Sequence, residues 1–253
     1  MERRRLSTSR LRVALGRLLS PPLQGSGRLL AIFVLCFLAA PTALLAAGAA
    51  SAAHTRTVVV GGDRDYPPYE FIDRSGQPAG YNVDLTRAIA EVMGMKVEFR
   101  LGSWAEMRNA LQTGRVDVLE GMSYSEERAA EVDFSVPHAV VNHAIFGRRD
   151  NPSVNTLEEL KGKTVAVHRG GIMHDYLTRK ALGARLTLTE TPADAMRLVA
   201  SGKIDYAVVA IVPGMYMIRE LKLTNLVPVV RNVATQRYCY AVDKGNAELL
   251  SRF

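Results

Sequence analysis

Cysteine is scarce in this sequence: Cys36 and Cys239 are the only two among 253 residues. Cys36 falls inside an apolar leader, so the body that follows has no internal disulfide and must rely on its core. A composition of 48% hydrophobic residues can supply one. A cationic body is missing too, although the net charge is +7. Seven arginines and one glutamate precede His54, so the leader holds six of the seven net charges and the rest of the chain one. No nucleic-acid partner follows from that balance. The chain also lacks a phosphate-binding glycine loop and a nucleophile elbow. His138, His143, His168 and His174 have no compact metal-ligand spacing. Neither a metal nor a cofactor is expected.

Residues 1–53 read as a signal peptide or a membrane anchor. A basic start is followed by an apolar run from Leu29 to about Leu45, broken at Pro41, and then by small residues at Ser51 and Ala53. That order suits export and cleavage before His54. The anchor is the alternative, because about 20 apolar residues span a bilayer. Both readings place the body in the periplasm, the second one tethered to the inner membrane.

From Arg56 onward short β-branched runs alternate with amphipathic stretches, which is the pattern of an α/β fold. "TVVVGG", "KVEFRL" and "VDVLEGM" are strands, while "NVDLTRAIAEVM" and "WAEMRNALQTG" are helices. The pattern restarts with "KTVAVHRGG", "MHDYLTRKAL", "RLTLTE", "PADAMRLVASG" and "KIDYAVVA". Two of these units echo each other. "WAEMRNALQTGRVDVLEGM" and "TPADAMRLVASGKIDYAVVA" match Gly114 with Gly202 and Asp117 with Asp205, each a helix, a glycine cap and a buried strand. Two lobes are therefore expected: residues 54–144 in the first and 145–235 in the second. Residues 236–253 return to the first and open a C-terminal helix that is cut short. The hinge crossings are expected near Ala144–Arg148 and Tyr238–Val242, with a separate sheet in each lobe.

One residue stands out locally. Ser125 reads as an N-cap, and Glu126 and Glu127 suit the positive end of a helix. Arg128 then occupies the place where a capping box has Glu or Gln, opposing the dipole by ~0.3–1 kcal/mol. It is either a surface partner of Glu127, Glu131 or Asp133, or a bidentate grip on a carboxylate ligand.

Four motifs in order, "GGDRDYPPYEFIDRSGQPAGYNVDL", "LQTGRVDVLEGMSYSEERAAEVDFS", "LEELKGKTVAVHRGG" and "ASGKIDYAVV", resemble the family 3 extracellular solute-binding proteins. "NHAIFGRR" and "RGGIMHDY" are similar to the members placed ahead of sensor histidine kinases and diguanylate cyclases. The resemblance implies a bilobed periplasmic-binding-protein type II fold with two hinge crossings. It implies a receptor that closes on a small ligand, an amino acid or another carboxylate, and works with an inner-membrane transporter or a fused sensor module. Ser123 and Arg128 match the serine and arginine that clamp a carboxylate. Asp63 and Tyr66 match the loop after the first strand, and Tyr69 and Trp104 match ring positions facing the ligand. Gly121, Gly171 and Ile172 complete the set.

The departures bear on the ligand. The usual amine anchor falls at about Ala210, and the second-lobe carboxylate loop reads "RGGIMHD", which leaves backbone donors at Gly171 and Ile172. Glu120 either holds a cationic group instead, points into solvent or pairs with Arg128. A dehydratase-like enzyme built on Glu120, His168, His174 and Asp175 is the rival reading; no spacing assembles those four, and a non-enzymatic receptor is expected.

Overall fold

The structure is a computed structural model that describes residues 56–253, so both readings of the leader lie outside the described residues. The first half runs β1 (Val58–Asp63), β2 (Asp65–Tyr66), β3 (Glu70–Ile72), β4 (Pro78–Ala79), α1 (Tyr81–Val92), β5 (Val97–Gly102), α2 (Trp104–Gln112), β6 (Val118–Ser123), α3 (Glu126–Glu131) and β7 (Val132–Phe134). β8 (Ala139–Arg148) leads into β9 (Thr164–His168), α4 (Ile172–Lys180), β10 (Arg185–Thr189), α5 (Pro192–Ala200), β11 (Tyr206–Ala210) and α6 (Ile211–Glu220). The long β12 (Leu226–Asp243) then returns and ends in α7 (Ala247–Leu250). No helix among the described residues is long and apolar enough to cross a membrane.

Each half has three parallel strands, β5-β1-β6 or β10-β9-β11, covered on both faces, and the sequence alternation shows how. In β6, Leu119 joins Trp104, Met107 and Leu111 of α2, while Val118 points the other way to Ala90 of α1, Tyr240 and Val242. In β11, Ala207 and Val209 pack against α5 and α6, while Tyr206 and Val208 pack toward α4. Successive strand residues face opposite sides, so an apolar run needs helices on both. Each large aliphatic side chain buried this way contributes about 1.5–3 kcal/mol.

The echoed units fold alike. Gly114 and Gly202 have φ of +68° and +77°, and each closes its helix with a 5→2 and a 6→1 hydrogen bond. Asp117 accepts the backbone N–H of Val59 at 2.8 Å, and Asp205 that of Thr164 at 2.7 Å, so each aspartate pins the start of the neighbouring parallel strand. The hydrogen bond to Thr164 is also the first cause holding the Asp205 carboxyl below its usual range.

The expected separation into two sheets does not hold. Hydrogen bonding is continuous in the order β10-β9-β11-β8-β12-β6-β1-β5. The reason is that the two crossing strands are antiparallel neighbours and satisfy their backbone groups on each other. The crossing also lies away from the expected segments. Ala144–Gly147 are already paired with β11, and Tyr238–Val242 with β6. Only Val140–Asn142, facing Thr235–Arg237, belong to the ribbon alone.

Two elements were not legible in the sequence. α6 contains Pro213 and Gly214, which argue against a helix. Pro213 sits in the first turn, where no intrahelical N–H bond is lost, and Gly214 leaves room for the Phe146 ring. The small sheet β2-β3-β4 is built around the loop "YPPYEFID".

Candidate functional site: the cleft between the halves

Four strand ends converge on the cleft. Asp63 closes β1, Ser123 closes β6, His168 closes β9 and Ala210 closes β11. Ligands of open α/β sheets bind at such carboxyl ends. Here they border a cavity with about 50 Å³ open to the centres of water molecules. That is a third of the ~150 Å³ that admits benzene, so a solute of amino-acid size needs the halves to part.

Arg128 sits at one wall with 3% of its side chain exposed. Ser125 caps α3, its Oγ accepting the Arg128 backbone N–H at 3.2 Å. The helix ends at Glu131, only six residues long, so Arg128 lies in its last turn as well as its first. The dipole therefore does not oppose it in the way the sequence suggested. Its guanidinium leaves its own helix and crosses the cleft. Nε and Nη2 donate to Asp175 Oδ2 at 3.1 and 2.7 Å, Nη2 to the Gly170 carbonyl at 3.0 Å, and Nη1 to the Ser123 carbonyl at 3.2 Å. Glu131 pairs with Gln112 instead. Burial lowers the Arg128 pKa and the Asp175 carboxylate opposes that shift.

Gly170 gathers the first half onto the second. Its carbonyl also accepts Trp104 Nε1 at 3.0 Å and Arg108 Nη1 at 3.1 Å. With φ of +70° the residue turns its carbonyl out of the loop, a conformation that glycine adopts freely. Gly171 then caps α4 and Ile172 begins it, both on the cavity wall.

The opposite wall is acidic and aromatic. Asp63 Oδ2 lies 3.5 Å from His168 Nε2 of the other half. Burial pushes the Asp63 carboxyl up to about 7 and His168 down to about 4, so around neutrality the imidazole is neutral and the carboxyl partly protonated. Glu70 is fully buried and hydrogen-bonded to Asn82, and burial, reinforced by Glu120, raises it well above the carboxylate range. A Cβ on Gly121 would lie 2.6 Å from Asn82 Nδ2 and 2.9 Å from Glu70 Oε1, which is why that position is glycine. His143 lines the cavity too, with Nδ1 unpartnered among the described residues; burial, then Arg128, lowers it to about 4. Tyr66 and Tyr238 stack with centroids 6.3 Å apart.

Asp63, Tyr66, Trp104, Gly121, Ser123, Arg128, Gly171 and Ile172 thus line one cavity. Two candidates do not. Tyr69 packs behind the wall, its ring 5.9 Å from Tyr66 and 5.6 Å from Tyr238. Glu120 follows Val118 by two residues and so shares its face, inside the first half. It accepts from Thr86 Oγ1 at 2.9 Å, and burial raises it to about 8. Glu120 is therefore not the cation holder anticipated for the cleft. Of the dehydratase-like set, His168 and His174 both line the cavity, His168 facing Asp63 and His174 Nδ1 accepting the Gly170 N–H at 3.2 Å, while Asp175 takes Arg128 and Glu120 faces the core. Among the described residues no group of three or more His, Cys, Asp or Glu side chains could hold a metal. Sequence reasoning missed Glu70, His143 and Tyr238. Tyr238 reaches the cavity because β12 sets it opposite Ser123, a long-range register with no local signal.

A histidine kinase sensor domain with similarity to periplasmic binding proteins superposes with a TM-score of 0.76 at 68% identity, covering 78% of this chain and 86% of that one. An ancestral arginine-binding protein bound to arginine gives 0.73 at 33% identity, covering 79% and 90%. The arginine-binding extracellular protein ArtP of Bacillus subtilis (strain 168) is 32% identical over 148 residues, 58% of this chain and 57% of ArtP, so the match spans little more than half of that relative. The family model for bacterial extracellular solute-binding proteins, family 3, matches residues 58–253, and the chain belongs to that family.

Proposed function

We propose that residues 56–253 form a periplasmic receptor domain that closes on a small carboxylate-bearing solute of the amino-acid class and passes closure on to a fused sensor module. The observation that carries the reading is Arg128: a guanidinium 3% exposed, reaching from one half to the other at the mouth of the cavity. A buried cation between two halves is where a ligand anion gains most from desolvated, charge-assisted hydrogen bonds. The 68% identity to a sensor domain favours signalling over uptake. The lobe division belongs to this proposal, with residues 56–139 and 238–253 moving against 143–234 about the Val140–Asn142 and Thr235–Arg237 ribbon. Ligand binding energy drives that motion only as far as the ligand prefers the closed form.

The test is calorimetric titration of the exported domain with a panel of amino acids, their amides and simple carboxylates. Arg128→Ala should cost about 2–5 kcal/mol of binding to the best carboxylate while circular dichroism keeps its native form. Arg128→Lys should recover little of it, because an ammonium lacks the planar fork. Full affinity in a folded Arg128→Ala domain would remove Arg128 from the ligand site.

A further inference from the structure

The Arg128 guanidinium has five N–H groups, and four are committed. Two go to Asp175, one to the Gly170 carbonyl and one to the Ser123 carbonyl. A carboxylate entering the cavity meets a single uncommitted N–H, where a bidentate grip needs two. The charge balance points the same way. Asp175 is the carboxylate nearest Arg128, at 2.7 Å, and is shared with Arg108 at 3.5 Å, while the cavity's remaining acids, Asp63 and Glu70, do not attract an anion.

Asp175 comes from the second half, in the first turn of α4, and faces an outer groove rather than the cavity. Its side chain stays 35% exposed, and Arg108 Nη1 is 3.5 Å from the same Oδ2. Water and Arg108 can therefore receive Asp175 when it leaves. Arg128 at 3% exposure has no such substitute and must hold an anion.

We propose that Asp175 is an intramolecular competitor for Arg128 and so a specificity-determining residue: the cleft holds a carboxylate ligand only when the ligand's other contacts outweigh the loss of Asp175. The proposal rests on the carboxylate reading of Arg128 given above. Under it, a ligand offering little besides a carboxylate is rejected, and a longer ligand with further contacts is accepted.

Asp175→Asn and Asp175→Ser, both suited to a first helical turn, are titrated with glycine and L-arginine at fixed ionic strength. Glycinamide and L-argininamide are the carboxylate-free controls. Both variants should bind the two carboxylates at least tenfold more tightly than the unmodified domain, with the same fold-gain for glycine and L-arginine and no gain for the amides. Glu127→Gln, which removes an exposed acid of the same groove, should give no gain. Adding Arg128→Ala should erase the improvement. Equal or weaker binding by the Asp175 variants would overturn the proposal and make Asp175 a support of the grip; so would a gain that survives Arg128→Ala. The underlying reading fails separately, if Arg128→Ala alone leaves L-arginine binding unchanged.

Discussion

Residues 104–123 and 192–211 are two copies of one plan, helix, glycine and strand, that end differently. In both, a glycine closes the helix and an aspartate pins the adjacent parallel strand. At the cleft the first copy presents Gly121, Ser123 and then the helix carrying Arg128, while the second presents Val208, Val209 and Ala210. The repeated part is framework and obeys the same sterics in each half. The polar groups of the cleft are concentrated beside one copy, and the other contributes an apolar wall, with the acceptors Gly170 and Asp175 coming from the preceding loop and the first turn of α4.

Truncating the two helices tests whether the framework is energetically as symmetric as it is geometrically. Leu111→Ala in α2 and Met196→Ala in α5 remove fully buried side chains, and each should destabilise the domain by about 2–5 kcal/mol in chemical denaturation. One joint transition with similar losses would make the halves a single cooperative unit. Two separated transitions would show that the ribbon uncouples them.

Glu120 breaks the symmetry within the core, since Val208 occupies the matching place. Burial holds its carboxyl protonated up to about 8 in the fold, whereas an unfolded chain releases that proton near 4.5. A raised folded pKa gives stability that is fully present at low pH and lost as pH rises through the folded value. The Glu120 contribution should therefore fall between pH 5 and pH 8, on the order of a few kcal/mol, with Asp63 and Glu70 acting in the same direction and the buried neutral His143 and His168 opposing it below about pH 6.5. Glu120→Gln should flatten part of that slope in thermal unfolding. An unchanged slope would mean that Glu120 is ionised in the folded protein.

The smallest effect is the most symmetric. Gly114→Ala and Gly202→Ala add a methyl group at positive φ with no clash, since the nearest atoms lie beyond 4 Å at Gly114 and at 3.9 Å at Gly202. Each should cost only the left-handed backbone penalty, about 1–2 kcal/mol, and the two midpoints should shift alike. A much larger loss at one position would reveal a local constraint that the matching geometry hides.

By itself the sequence determined the α/β alternation, the paired helix–glycine–strand units and the family. These rest on local rules: hydrophobic periodicity, positive-φ glycines and short motifs. It also indicated most of the cleft lining, because the family resemblance marked Asp63, Tyr66, Trp104, Ser123, Arg128, Gly171 and Ile172, all of which line the cavity. Tertiary structure decided the rest. Whether Glu120 faced ligand or core depended on which side of β6 met α1, and Tyr238 reached the cavity only through the register of β12 on β6. That register also joined the two sheets, because two crossing strands lying side by side bond to each other. Arg128 seemed to oppose its helix dipole until the helix proved six residues long. Its partner was decided by the approach of two surfaces 47 residues apart in sequence. A charge's neighbours across a cleft depend on how rigid halves dock, and no local pattern in the chain records that distance.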